Sequence, residues 1–142
     1  TVCGDAQVLP FWSKMINDRN ILRQTILTIR EVGLDKPFPL KFTRGRAKSQ
    51  KMIKEEFFAG DYQRDAIWPH IGMMYIDVVR KLYPDLAIFY LNQYRNVINE
   101  HSNFLEVFDC GGKPFKNIWF YSDESMIWAA NYLYLKLKLL PD

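Results

Sequence analysis

Two short stretches of the chain mix carboxylates with aromatic rings next to a helix start. They are Asp61-Tyr62-Gln63-Arg64-Asp65-Ala66-Ile67-Trp68-Pro69-His70, and Phe104-Leu105-Glu106-Val107-Phe108-Asp109 followed by Gly111 and Gly112. Cleavage of a glycosidic bond uses such neighbours. One carboxylate polarises water or protonates the leaving oxygen, flat rings hold the pyranose, and further carboxylates accept its hydroxyl protons. Spacing alone leaves blander readings open. Glu106 and Asp109 also fit surface acids flanking a helix, and Trp68 before Pro69 fits a staple against the helix that follows. His70 fits a capping or buried histidine, and Asp61 or Asp65 fits an ion pair with Arg64.

Apolar periodicity predicts five helices to position these residues. The first runs from about Asp5 to Ile16, with Pro10 near its first turn or kinking it. The second takes Asp18 or Asn17 as N-cap, carries Leu22, Ile26, Ile29 and Val32 on its apolar face, and stops at Gly33. The third, from about Ile71 to Leu82, has Ile71, Met74, Tyr75, Val78, Val79 and Leu82 on one stripe. The fourth, from about Asp85 to Asn99, buries Leu86, Phe89, Tyr90, Val97 and Ile98, and the short junction at Pro84 makes it an antiparallel neighbour of the third. A fifth opens with Ser122 as N-cap and Asp123 and Glu124 in its first turn, reaching Leu139, with Tyr132 and Tyr134 in the packing. Residues 34 to 67 show little period and read as one long connection, either functional or loosely held. The expected fold is all-α, built of antiparallel helical hairpins, in a single segment spanning 1–142.

The 142 residues, 49% of them hydrophobic, are enough for one core without metal or disulfides. A net charge of +3 excludes little, but the positive charge is concentrated. Lys36, Lys41, Arg44, Arg46, Lys48, Lys51 and Lys54 lie together with no acid among them. Such a run fits a solvated excursion better than a phosphate-binding strip, since few rings interleave it, and no nucleic-acid partner is expected. Cys3 and Cys110 are far apart and outside any metal-ligand spacing, so no metal is expected and free thiols in a cytoplasmic protein fit best. No segment has the roughly 20 apolar residues that span a bilayer, and no membrane partner is expected. Aromatic content is high, at 15% with four Trp and eight Tyr.

At these residues the chain resembles the six-hairpin, (α/α)6-barrel glycosidases of the amylo-α-1,6-glucosidase type, the glucosidase half of glycogen debranching enzymes and its prokaryotic relatives. The stretch Tyr62 to His70 is similar to that family's segment before a late helix. Leu105 to Asp109, Gly111-Gly112 and Ser125-Met126-Ile127-Trp128-Ala129-Ala130 resemble the segment that closes the barrel, and Gly4-Asp5-Ala6-Gln7 resembles a helix two hairpins from the end. The three matches fall in the family's order, although Asp65 stands where the family usually has Gly. The resemblance implies an inverting hydrolase of α-glucosidic bonds with Glu106 as the general base. It implies Tyr62, Asp65, Trp68 and Asp109 around the sugar, an oligosaccharide or polysaccharide substrate, and no cofactor. It also implies that these residues are the C-terminal portion of a larger toroid whose general acid lies on an earlier hairpin. The isolated chain is then expected not to turn over a glycoside until the remaining barrel segment or a second chain completes it. The reading of another class is a non-catalytic helical module that binds a glycan or a partner protein.

Overall fold

A computed structural model describes residues 2–44, 62, 64–124 and 126–140. The fold is all-α. Five helices are present among the described residues: α1 (Gly4–Trp12), α2 (Arg19–Glu31), α3 (Pro69–Val79), α4 (Pro84–His101) and α5 (Ala129–Leu139). None is long and apolar enough to cross a membrane. Of the basic run, Arg46, Lys48, Lys51 and Lys54 lie outside the described residues, as do Asp61, Gln63 and Ser125.

Helix α2 forms as its sequence dictates. The Asp18 carboxylate accepts from the amides of Asn20 (2.7 Å) and Ile21 (3.0 Å), satisfying two donors that a helix start leaves without partners. Leu22, Ile26 and Ile29 are buried on one stripe. Gly33 then takes a left-handed φ of 73°, and the amides of Gly33 and Leu34 bond back to the carbonyls of Arg30 and Ile29. That paired closure is what a glycine one residue past the cap allows. Helix α1 stops earlier than its apolar pattern predicts, at Trp12 rather than Ile16. Lys14 turns left-handed at φ 65°, and the Ile16 amide folds back onto the Pro10 carbonyl.

Helix α3 begins on Pro69, whose missing N–H costs nothing at a helix start, and is buried nearly all round. It packs against α1, α4 and α5, which makes it the central element. The chain turns at residues 80–83 into α4, so the two form the expected antiparallel pair. The buried register of α4 is Ala87, Tyr90, Leu91 and Tyr94. Phe89 lies off that stripe and is 56% exposed, against the expectation that it is buried.

The fifth helix differs most from expectation. It starts at Ala129, and Ser122 is not its cap. Ser122 is buried, its Oγ accepts from the Val107 amide (3.0 Å), and its own amide donates to the Phe115 carbonyl (2.8 Å). The Asp123 carbonyl in turn accepts from the Glu106 amide. The segment is thereby extended along residues 106–107, and Asp123 and Glu124 precede the helix by several residues. On α5 itself Tyr132 and Leu135 are buried, whereas Tyr134, expected in the packing, is half exposed on another face.

Between the helices, the described residues are stitched by single antiparallel pairings rather than strands: Cys3 with Thr43, Lys41 with Ile67, Ile67 with Phe108, Phe108 with Pro114, and Lys116 with Tyr121. The described ends of the 34–67 connection are therefore not a loose excursion. Leu34, Phe38 and Leu40 are in the core, and Phe38 wedges edge-on between Tyr94 and Phe108, 5.2 Å from each ring centre. The buried Asp35 carboxylate accepts from the Tyr90 hydroxyl at 2.6 Å, with Arg30 at 3.9 Å, tying the end of α2 to α4.

Candidate functional site

The pairing of Ile67 with Phe108, made by bonds of 2.8 and 2.9 Å in both directions, lays the two carboxylate-bearing stretches side by side. Their side chains meet as a result. The Tyr62 hydroxyl donates to Glu106 Oε1 at 3.1 Å, and the Trp68 indole N–H donates to the Tyr62 carbonyl at 3.0 Å. Rings surround Tyr62 edge-on, with Trp68 at 4.7 Å, Phe120 at 4.9 Å and Phe115 at 5.4 Å between centres. Such tilted contacts place ring edges on ring faces, the favoured geometry of aromatic pairs. Glu106 itself is half-buried between the buried Leu105 and Val107.

Burial, then the negative charges of Glu106 and Asp123, pushes the Tyr62 phenol well above its usual ionisation range, so Tyr62 stays a hydrogen-bond donor at any working pH. Of the sequence-predicted residues, Tyr62, Trp68 and Glu106 are brought together. Asp65 is half-buried on the segment leading into α3. Asp109 shapes the glycine-rich turn, its Oδ1 accepting from the amides of Gly111 and Lys113, both at 2.9 Å. Among the described residues no group of three or more His, Cys, Asp or Glu gathers where it could hold a metal ion.

Trp68 also forms one wall of an open cavity of about 370 Å³, lined by Asp5, Leu9, Phe42, Trp68, His70, Ile71, Met74 and Trp128. Apart from Phe42, its polar and aromatic residues stand at the beginnings of three helices. Asp5 is in the first turn of α1, Trp68 and His70 open α3, and Trp128 immediately precedes α5. The His70 ring stacks on Trp128 (5.2 Å, 27° between planes) and meets Trp68 edge-on. Its size lies at the small end of ligand pockets, enough for one ring of a sugar or an aromatic group. Sequence reasoning did not assign Asp5, Phe42 or Trp128 to a site. Only Asp5 opens a helix as the sequence predicts it; Trp68 precedes the third, expected from about Ile71, and Trp128 falls inside the fifth, expected from Ser122, so the convergence of the three ends is a tertiary fact.

Burial lowers the His70 imidazole from its ordinary value of 6.5. The unfolded chain then holds more protons than the folded one in the window below 6.5, so stability present above that value is lost as pH falls through the lowered folded value. His70→Phe keeps a ring between Trp68 and Trp128 and is expected to flatten this acid-side loss. Urea midpoints of both proteins, followed from about pH 7 down to about pH 5, check it, and equal slopes would contradict it.

Comparison of the chain with protein-family models, curated proteins and solved structures finds no match in any of the three.

Proposed function

We propose that this chain is the closing portion of a helical-hairpin, (α/α)6-type glycosidase that hydrolyses α-glucosidic bonds with inversion, Glu106 polarising the attacking water. The observation that supports the reading best is that Tyr62 bonds to Glu106, 44 residues further along the chain, while Trp68 packs on the Tyr62 ring. A half-buried carboxylate beside flat rings is the environment such a reaction uses: the carboxylate accepts a proton from water while the rings exclude bulk solvent and face the sugar. Trp68 joins the two parts of the site: it packs on Tyr62, which holds Glu106, and it walls the neighbouring cavity, where a sugar ring would have Asp5 to accept hydroxyl protons.

An inverting reaction also needs an acid about 6.5 to 9.5 Å from the base, across the water and the sugar. In this reading that acid comes from chain packed against the present five helices. Broad apolar surface on α5, where Leu133 and Leu137 are 56% and 79% exposed, fits a further helical neighbour. The alternative of a non-catalytic binding module draws on Ile118 and Trp119, which are 91% and 74% exposed at the tip of the Lys116–Tyr121 turn.

The test follows the stereochemistry. The gene product carrying these residues is incubated with α-1,4- and α-1,6-linked glucose oligosaccharides, and the first sugar released is read by proton NMR before it mutarotates. β-Glucose is the expected product. Binding without release favours the module, and α-glucose as first product excludes an inverting base at position 106.

A further inference from the structure

We propose that Tyr62 is a positioning residue for Glu106, its hydroxyl holding Oε1 of the carboxylate so that Oε2 is presented to the attacking water. The inference rests on the hydrolase reading and assigns Tyr62 a role other than that of a wall for the sugar. Its geometry is fixed at both ends. The main chain is held by the Trp68 indole N–H on the Tyr62 carbonyl (3.0 Å), and the ring is held by the edges and faces of Trp68, Phe115 and Phe120. The hydroxyl then has one bond to Glu106, at 3.1 Å. Glu106 is anchored from the other side by its own amide on the Asp123 carbonyl (3.0 Å). A flexible Glu side chain gains most from such a tether, because an oxygen displaced by an ångström loses the alignment that general-base catalysis requires. Burial of the phenol, with the charges of Glu106 and Asp123 nearby, keeps its proton in place, so the tether persists over the whole pH range in which a carboxylate base operates.

The kinetics of Tyr62→Phe test this, since the variant keeps the ring and its three aromatic contacts and removes only the donor. In the gene product carrying these residues, kcat is expected to fall about ten- to a hundredfold while KM stays within about twofold, because a tether on the base acts on the transition state and not on ground-state sugar binding. A raised KM with kcat intact makes Tyr62 a sugar contact and overturns the proposal, as does a kcat left at the wild-type value. Wild-type turnover by Glu106→Gln is a separate result. It removes the hydrolase reading, and with it the catalytic meaning of the tether.

Discussion

Gly72→Ala is expected to destabilise the folded chain by about 3 kcal/mol, a large share of the 5–15 kcal/mol typical of a domain. Gly72 sits in the first half of α3, the helix packed on three others. A Cβ there runs into the Tyr94 hydroxyl from α4 and the Pro39 carbonyl, and those two groups are hydrogen-bonded to each other. Neither can yield cheaply. Pro39 is main chain in a buried segment, and Tyr94 is fully buried, with Phe38 packed edge-on against its ring. Either the helix shifts and opens the core, at about 1–3 kcal/mol, or the buried carbonyl loses its donor, at a similar cost of about 1–3 kcal/mol. Denaturant unfolding measures the loss. Gly33→Ala is the useful comparison, because Gly33 is left-handed with open space around its Cβ position, so only backbone strain of about 1–2 kcal/mol applies. Pairing Gly72→Ala with Tyr94→Phe should show coupling above about 0.5 kcal/mol, since both act on the same hydroxyl. Equal losses at positions 33 and 72, with additive behaviour, would count against the steric account.

Where local signals and tertiary demands agree, the sequence is a good guide. Asp18, the Leu22, Ile26 and Ile29 stripe, and Gly33 all refer to groups within a few residues of one another, and α2 appears where they place it. Ser122-Asp123-Glu124 carries the same kind of signal and misleads. The Ser122 hydroxyl is taken by the Val107 amide fifteen residues away, so the start of α5 moves to Ala129. The described parts of the long connection were hard to read for a related reason. Lys41, Phe42 and Trp68 satisfy their amides one at a time, on Leu34, Ala66 and Leu40 respectively, and isolated pairings leave no alternating pattern along the chain. In the site, residue type was informative and neighbourhood was not. Tyr62, Trp68 and Glu106 stand out by chemistry, but the turn-shaping use of Asp109 and the meeting of Asp5, His70 and Trp128 at one cavity depend on packing.

Glu106→Gln is expected to lower kcat of the gene product by about 10²- to 10⁴-fold, the range that general-base assistance contributes. The substitution is close to isosteric. The amide oxygen of glutamine still accepts from the Tyr62 hydroxyl, and the backbone bond from residue 106 to the Asp123 carbonyl is untouched, so the fold and the surroundings of Trp68 are retained. In the proposed mechanism, what disappears is the capacity to take a proton from water as the glycosidic bond breaks. KM should therefore change little, because the loss is confined to an interaction that grows in the transition state. The size of the effect separates chemistry from packing: a half-buried surface acid replaced by its amide alters stability by well under about 1 kcal/mol when it has no buried charge partner. A thermal melt within a few degrees of wild type, together with the collapse in turnover, is the signature of a lost base. Equal falls in melting temperature and rate would instead trace the change to the Tyr62, Trp68 and Phe115 packing that Glu106 borders.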